Sequence, residues 1–374
     1  MNNEELQSQV IQWMRFPLSV AIVYAHNVIP ASLQIDLWQT DYSNLNSLEV
    51  INIIRAFLTE EFIRLAVPCF FIFSGFLFYN KVKEWSRQIY FAKIKKRIKT
   101  LVIPYLLWNI IAVIGAALVY LIWGGNLTLF INNIQEHGIL KIFWDFHDYG
   151  FVHYNVLDHP ISYYFPYNPP LWYIRDLIMM MFLSPIIYYF LKYAKLYGVI
   201  ILGILFFTEI GINKPGFSSD AFFFFSFGAY FSIHGKNLIV EIKKMKTIWL
   251  FFSIIFLIFS LFHKLIFFKL FIIFGSITLI NLAPYILKWD RISALNKFIS
   301  SLSDMSFFIF VAHTVILLSI SSKIMDFIFQ SDMLFFQYLK YFMAPIVCVG
   351  FCVGLYYIAN KIAPKMMIVL TGDR

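Results

Sequence analysis

The sequence predicts an all-α, polytopic integral membrane protein of about ten transmembrane helices, with both termini in the cytoplasm. Three observations carry that expectation. Only 14% of the 374 residues are charged and 60% are hydrophobic, whereas soluble domains carry about 25% charge. Mean hydropathy is +0.73, and apolar runs such as AFFFFSFGAYF and IIFLIFSLF recur at lengths near the ~20 residues that cross a bilayer. Lysine and arginine are also distributed unevenly between alternate connections, as positive-inside sorting requires. A water-soluble chain is excluded, and no stretch is long and polar enough for a separate globular unit. Residues 1–374 are expected to form one integral domain.

Taken in order, the apolar windows place spans at Phe16 to Gln34, Glu60 to Tyr79, Leu101 to Ile122, Leu171 to Leu191 and Tyr197 to Gly211. They continue at Ala221 to Ile233, Ile248 to Phe262, Leu270 to Leu287, Ser303 to Ser321 and Tyr338 to Ala359. The fifth to seventh are short and read as tilted, kinked or partly re-entrant. The opening MNNEELQSQV has no basic leader region, so the first apolar run is expected to stay as a span.

Residues 80–100 form the basic cytoplasmic connection, with Lys81, Lys83, Arg87, Lys93, Lys95, Lys96, Arg97 and Lys99. Twenty of the thirty basic residues fall on the inner side of this arrangement and seven outside. The other three, Arg15, Arg64 and Arg175, lie within or at the ends of spans. The net charge of +9 is therefore read as orientation in the membrane and not as a nucleic-acid surface. Cys69, Cys348 and Cys352 sit in apolar runs and read as small hydrophobes without a disulfide framework.

The long outer connection, residues 123–170, contains WDFHDYGFVHYNVLDHPISYYFPYNPP. His147, Asp148, His153, Asp158 and His159 bear ligand-type side chains. None shows the helical spacing of a zinc motif, so no metal site is assigned and an aromatic cover over the outer mouth is favoured.

A charge at the bilayer centre costs at least ~2.5 kcal/mol, so ionisable residues inside spans are candidates for chemistry. In the first span Arg15 and His26 are eleven residues apart, about three turns and ~16 Å along one helical face. Arg15 reads as an interfacial anchor or as a cation for a cytosolic ligand; His26 reads as a core histidine or as a base. In the second span Arg64 follows Glu60 and Glu61 at ion-pairing distance and reads as a local salt bridge or a polar outer mouth. Ser74 and Gly75 suit close helix packing. The fourth span groups Trp172, Arg175 and Asp176 at its outer end. The ninth sets His313 near the depth of His26, with Ser306 two turns away, so two imidazoles share one level and could exchange a proton near neutral pH. Thr208 and Glu209 close the fifth span as a further polar group of the outer mouth.

These residues bring a family into view. The segment RFPLSVAIVYAH, with Arg15 and His26, resembles the Arg or Lys, ten residues, His pattern of the acyltransferase 3 family of bacterial membrane proteins. FFIFSGFLF, through Ser74, Gly75 and Phe76, is similar to that family's aromatic Ser-Gly-Phe segment. KIKKRIKTLVIPYLLW, LWYIRDLIMMMFLSPII and the His313 of FVAHTVIL resemble its basic stretch, its Trp-centred span and its late histidine. The likeness runs along nearly the whole chain. Nothing after the tenth span matches the periplasmic esterase-like domain of longer members, so the stand-alone form is expected.

The resemblance implies a multi-pass protein of the bacterial cytoplasmic membrane that moves an acyl group, commonly acetyl, from cytosolic acyl-CoA to a hydroxyl of a cell-surface or lipid-linked glycan. It implies no permanently bound cofactor, with acetyl-CoA as donor substrate. Arg15, Lys93, Lys95, Lys96 and Arg97 would hold the CoA phosphates. His26 would be the general base and His313 would orient or replace it, while Arg64, Trp172 and Arg175 would shape the acceptor side. Two readings compete: a transporter or flippase of a glycan precursor, because polar groups at mid-depth also mark carriers, and a structural partner in glycan assembly.

Overall fold

The computed structural model describes residues 2–37, 39–122, 126–157, 159–210, 213–261 and 264–373. They form a helical membrane bundle whose longer helices are labelled here in chain order. Helix α1 spans Asn3–Ala25 and opens with a reciprocal cap: the Asn2 side chain accepts from the Glu5 amide at 2.8 Å, and the Asn2 amide donates to the Glu5 carboxylate at 2.9 Å. It stops at His26, eight residues before the apolar window ends. There the His26 amide turns back to the Val23 carbonyl, and Pro30 biases the preceding residue away from helix.

Helix α2 runs over Ser47–Tyr79, much earlier than the expected start at Glu60. Asn46 and Glu49 form a second reciprocal cap. The first turns are amphipathic, so an apolar window passes over them. The ladder is also irregular, with a π turn at Phe57–Glu61 and a 3-10 turn at Phe62–Leu65.

Helix α3 covers Arg87–Ile122. The basic segment expected as a connection is thus mostly helical, capped by the Ser86 hydroxyl on the Ile89 amide at 3.2 Å. A π turn at Ile98–Val102 precedes Pro104.

The outer connection expected as loop is partly ordered: a short helix at Leu127–His137 is followed by strands β1 (His147–Tyr154) and β2 (Pro160–Phe165), paired antiparallel with His147 opposite Phe165. Asp158 and the side chain of His153 lie outside the described residues.

Helix α4 (Trp172–Phe182) ends at Leu183, and α5 (Ser184–Thr208) begins with Pro185 in its first turn. The fourth apolar window therefore holds a helix break, because Pro185 has no amide hydrogen to continue the ladder. The expected gap before Tyr197 is instead a kink, with Lys195 at φ 52°. Helices α6 (Ala221–Ile233), α7 (Lys246–Ser260), α8 (Leu265–Leu287), α9 (Asp290–Ile328) and α10 (Leu334–Ile362) complete the bundle.

Helices α2, α3, α5, α8, α9 and α10 are long and apolar enough to cross a membrane, and α6 and α7 are apolar but shorter. Exposed Ile114, Ile186, Ile254 and Ile346 give the bundle an apolar outer surface, as a lipid-facing one must be.

The seam between α2 and α6 is the tightest contact described. A Cβ on Gly75 would lie 1.9 Å from the Phe225 carbonyl oxygen, and one on Gly228 would lie 1.9 Å from that of Ile72. Only glycine permits this reciprocal backbone approach. Phe71, Phe78 and Phe225, each at most 1% exposed, fill the core beside it. The seam fixes the α2 face that carries Ser74.

Candidate active site

His26 closes α1 in a segment clamped from both sides. The Tyr24 hydroxyl donates to the Phe342 carbonyl at 2.8 Å, and the Asn27 amide nitrogen donates to the Tyr341 carbonyl at 2.9 Å. Pro345 lies four residues after Tyr341 in α10 and cannot donate to that carbonyl, so a side chain takes it.

His313, fully buried, begins a π turn over His313–Leu317 inside α9. Such wide turns are over-represented at functional sites.

The rings meet edge to face with centroids 5.1 Å apart, and His313 Nε2 lies 3.4 Å from His26 Nδ1. Their tautomers follow from their partners. His26 Nδ1 is 2.9 Å from the Ile22 carbonyl and His313 Nδ1 is 3.0 Å from the Ile309 carbonyl. Carbonyl oxygen only accepts, so both Nδ1 atoms carry the proton. His313 Nε2 is then bare and accepts a share of the His26 Nδ1 hydrogen. His26 Nε2 keeps its lone pair, available to take a proton.

Arg15 lies three turns back on the same α1 face. Between them the Ser19 hydroxyl donates to the Ser306 carbonyl at 3.1 Å and holds α1 against α9. Arg15 is within electrostatic reach of Asp304 and Tyr173, and Arg97 also reaches Tyr173. The Tyr173 hydroxyl is 2.9 Å from Ser74 Oγ. Lys93 donates to the Phe78 carbonyl at 2.6 Å, and Arg97 lies over the Phe78 ring at 5.9 Å. Five helices thus converge on one half-buried basic lobe. Lys95 and Lys96 are exposed on the far side of the same helical stretch, where they add to its field without joining it.

At the other end the expected Arg64 salt bridge is replaced. Glu60 pairs with Arg55 at 2.8 Å, and the Arg64 Nε donates to the Glu60 backbone carbonyl at 3.2 Å. The π turn rotates the Glu60 carboxylate toward Arg55, which is 2% exposed and roofed by the Tyr341 ring at 5.5 Å. Arg64 is exposed, lies over Phe268 at 5.7 Å and is within reach of Tyr163 on β2. Trp172 packs on Phe71, with ring centroids 6.4 Å apart.

Arg175 holds Asp176 at 2.9 Å and donates to the Trp144 and Tyr164 carbonyls at 2.5 and 3.1 Å. Asp176 in turn accepts from the Gly216 and Ser218 amides at 3.0 and 3.2 Å. The pair fastens β2 and the segment around Gly216 to the N-terminal end of α4. Glu209, the outer-mouth candidate, is buried in an ion pair with Lys269 and also accepts from Asn213 at 3.0 Å.

The structure therefore gathers Arg15, Lys93 and Arg97 in one basic lobe and sets Arg64 and Arg175 at the hairpin, with Trp172 packed on Phe71 of α2. Tyr173, Arg55 and Asn168 were not among the sequence candidates. Asn168 lies in the aromatic connection that was singled out, and Tyr173 stands beside Trp172 in the fourth span.

The architecture is a helical membrane bundle with a sheltered histidine couple, a basic lobe and an ordered hairpin. The acyltransferase domain model of the acyltransferase 3 family matches residues 9–359, and the chain belongs to that family. It is 25% identical over 381 residues to the succinoglycan biosynthesis protein ExoH of Rhizobium meliloti, covering 97% of this chain and 92% of the relative. No solved structure matches.

Proposed function

We propose that the protein transfers an acyl group, expected to be acetyl, from cytosolic acyl-CoA to a hydroxyl of an extracytoplasmic or lipid-linked cell-surface polysaccharide. It would act in the bacterial cytoplasmic membrane, with ten crossings and both termini inside. Family membership supports acyl transfer, and the relative's name favours a polysaccharide acceptor. The observation that carries the mechanism is the couple that leaves His26 Nε2 bare while its other nitrogen is held by Ile22 and His313.

In this reaction His26 Nε2 removes the acceptor hydroxyl proton as the oxygen attacks the thioester carbonyl. The C–O bond forms, the tetrahedral intermediate collapses with loss of the C–S bond, and the proton passes from His26 to the departing sulfur to give CoA. His313 Nε2 stabilises the imidazolium through the shared Nδ1 hydrogen. Arg15, Lys93 and Arg97 would attract the CoA phosphates, Arg15 and Arg97 as planar forks and Lys93 as a point charge, with Lys95 and Lys96 steering the donor to the lobe. Arg64 and Trp172 would contact the acceptor. Arg175 would position the hairpin around it.

The test uses purified protein in lipid nanodiscs with radiolabelled acetyl-CoA and oligosaccharide released from succinoglycan. Wild type should label the glycan and release CoA, and folded His26→Gln should fall ~10²–10⁴-fold. Glycan movement across the bilayer without CoA release would overturn the proposal in favour of a carrier, and full transfer by His26→Gln would overturn the role of the base.

A further inference from the structure

We infer that Asn168 is a positioning residue that couples the outer hairpin to the histidine couple. The inference rests on the catalytic reading of His26 and His313. Asn168 sits just beyond β2, before the turn into α4, and is 1% exposed. Its polar groups are spent on two other helices, α3 and α9. The backbone amide donates to Asn109 Oδ1 on α3 at 3.1 Å, Nδ2 donates to the Val311 carbonyl at 3.0 Å, and Oδ1 accepts from the Thr314 hydroxyl at 2.7 Å.

Val311 and Thr314 bracket His313. One side chain therefore holds the carbonyl two residues before His313 and the hydroxyl of the residue after it, at the start of the π turn from which the imidazole projects. A π turn has a looser ladder than an α turn, and an outside clamp defines where its residues stand.

The clamp is stiff on its other side. The Tyr167 amide donates to the Ile142 carbonyl at 2.8 Å, and His147 Nε2 on β1 contacts the Tyr167 carbonyl at 3.1 Å. A displacement of the hairpin is thus carried through Tyr167 and Asn168 to the backbone on either side of His313. From there it reaches the 3.4 Å contact with His26. Acceptor engagement at the hairpin would in this way align the couple, so that the base is fully formed only when an acceptor is present.

The test is a double-mutant cycle in the nanodisc assay, with acetyl-CoA and succinoglycan oligosaccharide as probes. Asn168→Ala should lower kcat several-fold, up to the about tenfold loss expected of His313→Ala, at unchanged acetyl-CoA KM and shift the midpoint of the kcat–pH profile. Thr314→Val should do the same to a smaller extent. In a His313→Ala background neither should cause further loss, because coupled residues are non-additive. Independent, multiplicative losses or an unmoved pH profile would overturn the inference. If Asn168→Ala does not fold, Thr314→Val, which preserves side-chain shape, carries the same cycle. Full activity of His26→Gln would reject the catalytic reading itself; essential His26 and His313 with an inert Asn168 clamp would reject this coupling alone.

Discussion

The two nitrogens of His26 have different fates: one is held by a carbonyl and a second imidazole, and the other is left bare, where the proposed reaction needs a base. Removing His313 leaves the Ile22 carbonyl to hold the tautomer but takes away the partner that spreads the imidazolium charge. His313→Ala should therefore lower kcat by about tenfold, well short of the His26→Gln loss of ~10²–10⁴, when both are measured as CoA release. On the donor side, Arg15→Lys keeps the charge but not the planar fork. It should raise the acetyl-CoA KM less than Arg15→Ala does, with little change for the acceptor. Arg15, His26 and His313 were legible in the sequence because an ionisable side chain inside an apolar run has few ordinary explanations. Asn168 and Tyr173 were not. Amides and phenols are common at membrane boundaries, and their roles depend on partners such as Val311 and Ser74, more than ninety residues away. Arg55 was hidden differently, in an amphipathic helix start that a hydropathy window reads as loop.

At the scale of elements, the β1–β2 hairpin is secured by a buried ion pair whose partners are consecutive in sequence. Arg175 is 4% exposed and Asp176 is fully buried. Breaking such a pair costs about 3–5 kcal/mol because one charge stays buried. Arg175→Met should accordingly speed amide exchange in residues 144–167 and around Gly216, while α7 and α8 keep wild-type protection; hydrogen–deuterium exchange in nanodiscs reads both. The helices themselves were largely visible as apolar windows, and their capped starts were not. The break at Leu183 and the π turns at Phe57–Glu61 and His313–Leu317 had no hydropathy signal, since a turn that widens by one residue leaves composition unchanged. The strands were missed because β1 and β2 lie in a connection dense in histidine and aromatics, where no clean alternation marks a buried face.

For the whole molecule, composition was enough to specify a membrane bundle, and the spacing of a few polar residues was enough to suggest its chemistry. The packing that holds those residues in place comes from contacts such as Gly75 with Phe225 and Gly228 with Ile72. Gly75→Ala should exceed the ~1–3 kcal/mol typical of overpacking, because the obstructing atoms are backbone and cannot rotate away; a lower thermal midpoint in detergent, or loss of monodisperse protein, measures it. Such a seam behaves mechanically as a weld. With α2 and α6 joined backbone to backbone, the molecule resembles a fixed frame more than a pair of rocking halves, and donor and acceptor would have to travel to a stationary reaction centre. A chemical cross-link across the seam should then leave acyl transfer intact, where a carrier that works by alternating its two faces would stall.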